Sequence, residues 1–134
     1  MKIKQSFITN SSSSSFIVAW DKKIEKRDIN YINERVMFIE KAQQVLKDSI
    51  DQSPFFIESQ KDMKKVLEKL MDYYDDTDYK CLEDEKPAIK DLLRKSIGKW
   101  IYVYSYCDEN SEFFAEMEHG DTFKNLPYVR VSHH

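Results

Sequence analysis

Glycine is nearly absent from this chain of 134 residues, with Gly98 and Gly120 the only two. A loop that cradles phosphate needs several glycines, so that backbone N–H groups can approach the ligand closely. No GxGxxG, Walker A or GxSxG element can be written with two. That sets aside dinucleotide enzymes, P-loop enzymes and α/β-hydrolases. Cysteine is as scarce: Cys81 and Cys107 lie far apart and form no CxxC. Such usage points to a reducing compartment, with one disulfide left open as the alternative. Long apolar runs are missing too. Met1-Lys2-Ile3-Lys4 leads into a polar serine tract, which fits neither a signal peptide nor a membrane span, and the expected location is the cytoplasm. Nor is there a basic excess. Lys and Arg total 21 against 24 Asp and Glu, a net charge of −3, and they appear dispersed among acids. Phosphate neutralisation supplies most nucleic-acid affinity, so nucleic acid is not the expected partner.

Bulky side chains are what the chain has. Aromatics make up 13% of it, which argues against disorder and supplies a core. The length suits a single globular domain over residues 1–134.

Residues 3–8 and Phe16 to Trp20 read as strands, joined through Thr9, Asn10 and the five serines Ser11 to Ser15. Serine hydroxyls compete for backbone hydrogen bonds, so a hairpin loop is expected there, fixed at both ends by its apolar flanks. An anion-binding or modified loop is the functional alternative, with Ser11, Ser12 and Ser13 as interaction candidates. From Ile29 to Ile50 the apolar positions recur at steps of three and four, predicting one long helix. The helix is expected to pack on its own sheet, and a homodimer seam is the alternative. Pro54 breaks the chain, and Phe55-Phe56-Ile57 suggests a brief strand. Ser59 and Asp62 have the spacing of a capping box for a second helix, whose buried face is Met63, Val66, Leu67, Leu70 and Tyr74. Asp72 to Glu85 reads as a solvated acidic loop without calcium-loop spacing. Pro87 suits the first turn of a third helix, Arg94 and Lys95 its last, and Gly98 a left-handed cap.

The last third reads as sheet: Lys99 to Cys107, a turn at 108–111, a return over 112–118, a helical turn from Asp121 to Leu126, and a last strand from Tyr128 to Ser132. The expected class is therefore α+β, an antiparallel or mixed sheet from both chain ends with about three helices packed on one face.

Two groups of residues are candidates for chemistry. His119, Asp121, His133 and His134, beside Glu116 and Glu118, are of the types that hold zinc or another divalent transition metal, and with water would make an open hydrolytic site. His133 and His134 point to opposite sides of a strand, and no HExxH exists, so structural histidines without any cofactor are the favoured reading. Trp100, Tyr102, Tyr104 and Tyr106 share one strand face; they serve either as core or as a stacking surface for a ligand or partner. Glu116-Met117-Glu118 with the serine run is similar to the arginine–serine–ExE arrangement of ADP-ribosyltransferases, but the order fails, since the first arginine is Arg27.

The opening Lys2-Ile3-Lys4-Gln5-Ser6-Phe7-Ile8-Thr9-Asn10, its serine run and Phe16-Ile17-Val18 resemble the openings of uncharacterised small phage and bacterial proteins. The ending, with Glu116-Met117-Glu118-His119-Gly120-Asp121 and Ser132-His133-His134, is similar to endings in the same group. The two ends cover about a quarter of the chain. The resemblance implies a phage or mobile-element setting, hence a bacterial cytoplasm, and supplies no activity. The expectation that emerges is a small accessory protein that binds another protein, leaning away from catalysis. A metal-dependent hydrolase or nuclease built on the histidines, and a virion structural component, are the alternatives.

Overall fold

The computed structural model of the chain describes residues 13–25, 27–36, 54–75, 82–107 and 122–133. In chain order these form β1 (Ser13–Trp20), α1 (Ile29–Arg35), β2 (Phe55–Phe56), α2 (Gln60–Asp75), α3 (Leu82–Arg94), β3 (Trp100–Cys107) and β4 (Tyr128–His133). The four strands make one antiparallel sheet in the order β2-β3-β1-β4. This is the expected α+β architecture, with a sheet from both chain ends and three helices.

Strand alternation divides the sheet chemically. Phe16, Val18 and Trp20 of β1 stand opposite Tyr104, Tyr102 and Trp100 of β3, and all six share one face. Ile17 and Ala19 stand opposite Val103 and Ile101 on the other face, continued by Val129 and Val131. The aromatic face packs against Ile24, against Ile32 and Val36 at α1, and against Phe123 and Leu126. The aliphatic face packs against Val66, Leu70 and Tyr74 of α2 and Ile89, Leu92 and Leu93 of α3. The helices therefore divide between the faces, two on the aliphatic side and α1 on the aromatic side, and, contrary to expectation, do not all pack on one face. Both faces of β1 are covered, which is why Ile17, Val18 and Trp20 are fully buried.

Local signals account for the helix ends. Ser59 Oγ accepts the Lys61 N–H at 3.3 Å, while Asp62 Oδ2 accepts those of Ser59 at 3.2 Å and Glu58 at 2.9 Å. That is the expected capping box, with orphan donors satisfied reciprocally. Beyond α3, Ser96 Oγ bonds the Leu92 carbonyl at 2.6 Å. Gly98 then takes φ +83°, a left-handed conformation open to glycine without strain. Its N–H donates to the Ile57 carbonyl at 2.6 Å, and the Ile57 N–H donates to Lys99 at 3.1 Å. This pair of bonds clips the chain after β2 to the turn that launches β3.

Several local expectations are corrected. Ser13, Ser14 and Ser15 belong to β1 and not to a hairpin loop, because β3 and β4 supply ladder partners for all three. Residues 3–8, the first strand of the expected hairpin, lie outside the described residues. The helix from Ile29 ends at Arg35, since Val36 is extended at φ −102° and ψ 151°; residues 37–50 lie outside the described residues. Ile32 and Val36 of this stripe lie in the chain's own core, packed on its own sheet as expected. Pro87 lies inside α3 rather than in its first turn. Glu83, Asp84 and Glu85 favour a helix start ahead of it through the dipole. The buried face at Ile89, Leu92 and Leu93 outweighs the one hydrogen bond that proline withholds. The two helices also extend into the expected acidic loop, to Asp75 and from Leu82.

Candidate functional site

The aromatic stripe is interior. Tyr102 and Tyr104 are only 2% and 3% exposed. Their rings stack on each other at 5.9 Å, and Tyr104 stacks on Phe123 at 5.3 Å. As placed, neither ring has a face to offer a ligand or partner, and the interaction role considered for them gives way to core packing. Trp100 is half-buried, 4.7 Å from the Phe56 ring at the β2 edge. Tyr106 belongs to β3, in register with Ser14; its side chain lies outside the described residues.

Burial raises the Tyr102 phenol above its ordinary pKa, against the opposing effect of the Ile24 N–H. Burial likewise pushes Tyr104 far up, partly offset by the Trp20 indole. Both phenols are neutral at physiological pH, and that of Tyr102 serves as a structural hydrogen-bonding group. The Tyr102 hydroxyl accepts the buried Ile24 N–H at 2.9 Å. Tyr102→Phe is expected to cost about 1–3 kcal/mol, the penalty of a buried donor left without an acceptor, far beyond the value of the lost oxygen contacts alone. Denaturant titration of the two proteins measures it, and an unchanged midpoint would count against this role.

On the opposite face, Ser15 is completely buried. Its hydroxyl shares a 2.6 Å hydrogen bond with Tyr74 and accepts one of 3.0 Å from Ser105, which lies 3.4 Å from the Tyr73 hydroxyl. This short hydroxyl relay fastens the end of α2 to the sheet. Ser13, an interaction candidate, stands in register between Cys107 and His133 at the end of the three long strands. Ser11, Ser12, Glu116, Glu118, His119, Asp121 and His134 lie outside the described residues, so the expected histidine and carboxylate patch is represented only by the strand position of His133. Among the described residues no group of three or more His, Cys, Asp or Glu is placed to hold a metal ion. No helix among them is long and apolar enough to cross a membrane.

A surface feature outside the expected sites has the clearest chemical character. Along the outer side of the α2–α3 hairpin runs a groove of about 520 Å³. Met63, Leu67 and Leu93 form its apolar floor; Lys64, Lys86, Lys90 and Arg94 line it with positive charge, against one acid, Glu68. Arg94 is held by Asp91 at 2.6 Å, and Asp91 also takes Lys95 at 3.0 Å. The Lys95 and Arg94 hydrogen bonds keep the Asp91 carboxyl below its usual range. Lys64, Lys86 and Lys90 have no ion-pair partner among the described residues. On the other flank of α2, a smaller hollow of about 220 Å³ is bounded by Pro54, Phe55, Phe56, Lys65, Val66 and Lys69. The Lys69 ammonium there sits 5.8 Å from the Phe55 ring centre.

The groove had a signal in the sequence that composition concealed. Lys86, Lys90 and Arg94 recur every four residues, one stripe of a helix, and Lys61, Lys64, Lys65 and Lys69 crowd α2 over residues 61–69. Dispersal among acids describes the whole chain and misses this concentration. The packing of α2 on α3 brings the start of one beside the end of the other, so that Lys64 joins the Lys86, Lys90 and Arg94 stripe in one groove, while Lys65 and Lys69 line the hollow on the other flank.

Comparison of the chain with protein-family models, with curated proteins and with solved structures finds no match to any of them.

Proposed function

We propose that the chain is a small accessory protein that works by binding another protein, and that the α2–α3 hairpin is the surface it binds with. The observation that carries this reading is the α2–α3 groove, with its apolar floor and a rim holding three cations that have no ion-pair partner among the described residues. Interfaces concentrate their energy in such desolvated apolar centres, ringed by polar groups that set orientation and rate. A phage or mobile-element setting rests on the likeness of the two chain ends alone.

Site-directed photo-crosslinking in the cell that natively makes the chain tests the reading. A benzophenone amino acid at position 90, on the groove rim, is expected to yield a discrete cross-linked product. The same group at position 124, on the exposed turn before β4, is expected to yield none. Identical patterns at both positions, or no product at position 90, would contradict the proposal.

A further inference from the structure

We infer that the partner segment seated in the α2–α3 groove is an acidic amphipathic helix, an inference that rests on the docking reading above and specifies its chemistry. Three observations lead to it. The first is charge. The chain carries −3 overall, yet the groove holds four cations and one carboxylate, Glu68. Of the cations, Arg94 alone is committed to an internal ion pair among the described residues. Complementary charge steers association and rejects like-charged partners.

The second is the floor. Met63 and Leu67 are half-buried on α2, and Leu93 closes the bottom from α3. The apolar surface that Met63 and Leu67 leave exposed is recovered only against a partner that is itself apolar on one side, Leu93 being buried already. A nucleic-acid strand satisfies the rim but offers this floor little apolar surface beyond sugar edges and thymine methyls. Methionine is suited to such contact because its unbranched thioether adapts to the shape above it.

The third is the backbone. An extended peptide gains affinity by adding to an open strand edge, where N–H and C=O groups are unpaired. The walls here are helical on both sides, Gln60 to Glu68 of α2 and Lys86 to Arg94 of α3, and neither is a strand edge. Nothing in the groove rewards a strand. A helix satisfies its own backbone and seats its side-chain ridge between α2 and α3, as a third helix packs on a pair. From Gln60 to Glu68 the groove spans about 12 Å, roughly two turns of such a helix.

The probe is a fluorescein-labelled, end-blocked peptide of about 16 residues, with leucines at i, i+3, i+4 and i+7 and glutamates on the remaining face. Its affinity for the full chain is read by fluorescence anisotropy. A scrambled peptide of the same composition and a single-stranded oligonucleotide of equal charge are the comparisons. The amphipathic peptide is expected to bind about tenfold more tightly than either. Lys64→Glu with Lys90→Glu is expected to weaken it by about tenfold or more, and Lys124→Glu to leave it unchanged. Leu67→Ser, checked for an intact fold by circular dichroism, is expected to weaken it as well. Equal binding of the scrambled peptide or the oligonucleotide would overturn the inference in favour of a general polyanion surface, as would indifference to the double charge reversal. Absence of peptide binding, with position-specific crosslinking at residue 90 retained, would overturn the helix and leave the docking face standing. Loss of both would overturn both.

Discussion

Replacing Trp20 by alanine is expected to remove about 3–5 kcal/mol of folding stability, the range for emptying a buried large aromatic site. Trp20 is fully buried at the end of β1, opposite Trp100, and closes the aromatic cluster. Its ring lies 6.0 Å from Tyr31, which is flanked by the Arg35 guanidinium at 4.0 Å and the Lys22 ammonium at 5.1 Å. Alanine would leave Tyr31, Ile32 and Tyr104 facing a void that the twisted sheet, gripped on its other side by α2 and α3, cannot collapse to fill. Domains of this size have roughly 5–15 kcal/mol in total, so the variant sits near the edge of folding. Urea titration followed by near-ultraviolet circular dichroism measures the loss. A shift below about 1 kcal/mol would mean that Trp20 is not the closing residue its burial indicates.

Leu70→Ala is expected to cost about 2–5 kcal/mol from the opposite side of the sheet. Leu70 is completely buried on α2 and belongs to the aliphatic cluster with Ile17, Ile101 and Val131. The two substitutions touch different clusters but the same strand, since β1 sends Ile17 and Ala19 to one side and Phe16, Val18 and Trp20 to the other. Neither cluster can melt without unpairing strands that the other needs. Each variant is therefore expected to unfold in a single transition, with tryptophan fluorescence and far-ultraviolet dichroism coinciding. Separate transitions would show that α2 and α3 detach while the aromatic side survives. In that event the groove between them would open at low denaturant and peptide affinity would fall first.

Wherever short-range chemistry decides, the residues were legible. Ser59 and Asp62 announce the start of α2, because a capping box depends on groups three residues apart. Gly98 announces the turn after α3, because a left-handed φ is a property of one residue. The alternation in Trp100-Ile101-Tyr102-Val103-Tyr104 predicts a strand with two unlike faces, and the helical period from Met63 to Tyr74 predicts which side of α2 is buried. Those signals failed where a neighbour distant in the chain outbid the local preference. Ser13 to Ser15 are turn formers by composition, yet they stand in the central strand because residues 105–107 and 131–133 pair with them from both sides. Val36 continues a helical stripe, yet it leaves the helix and joins the core beneath the aromatic face.

The candidate site divides in the same way. Each basic stripe is present in the linear order, Lys86 to Arg94 on one helix and Lys61 to Lys69 on the other. By itself the sequence determined the elements, their periodicity and the two characters of the sheet, because propensity, capping and side-chain direction are set within a few residues. Strand order, the burial of Ser15 and the meeting of Lys64 with Lys90 around Met63, Leu67 and Leu93 were decided only by the tertiary structure. The physical reason is that burial and charge concentration are sums over neighbours in space, and the neighbours that matter here lie 26 residues apart across the hairpin, from Lys64 to Lys90, and 59 apart between Ser15 and Tyr74.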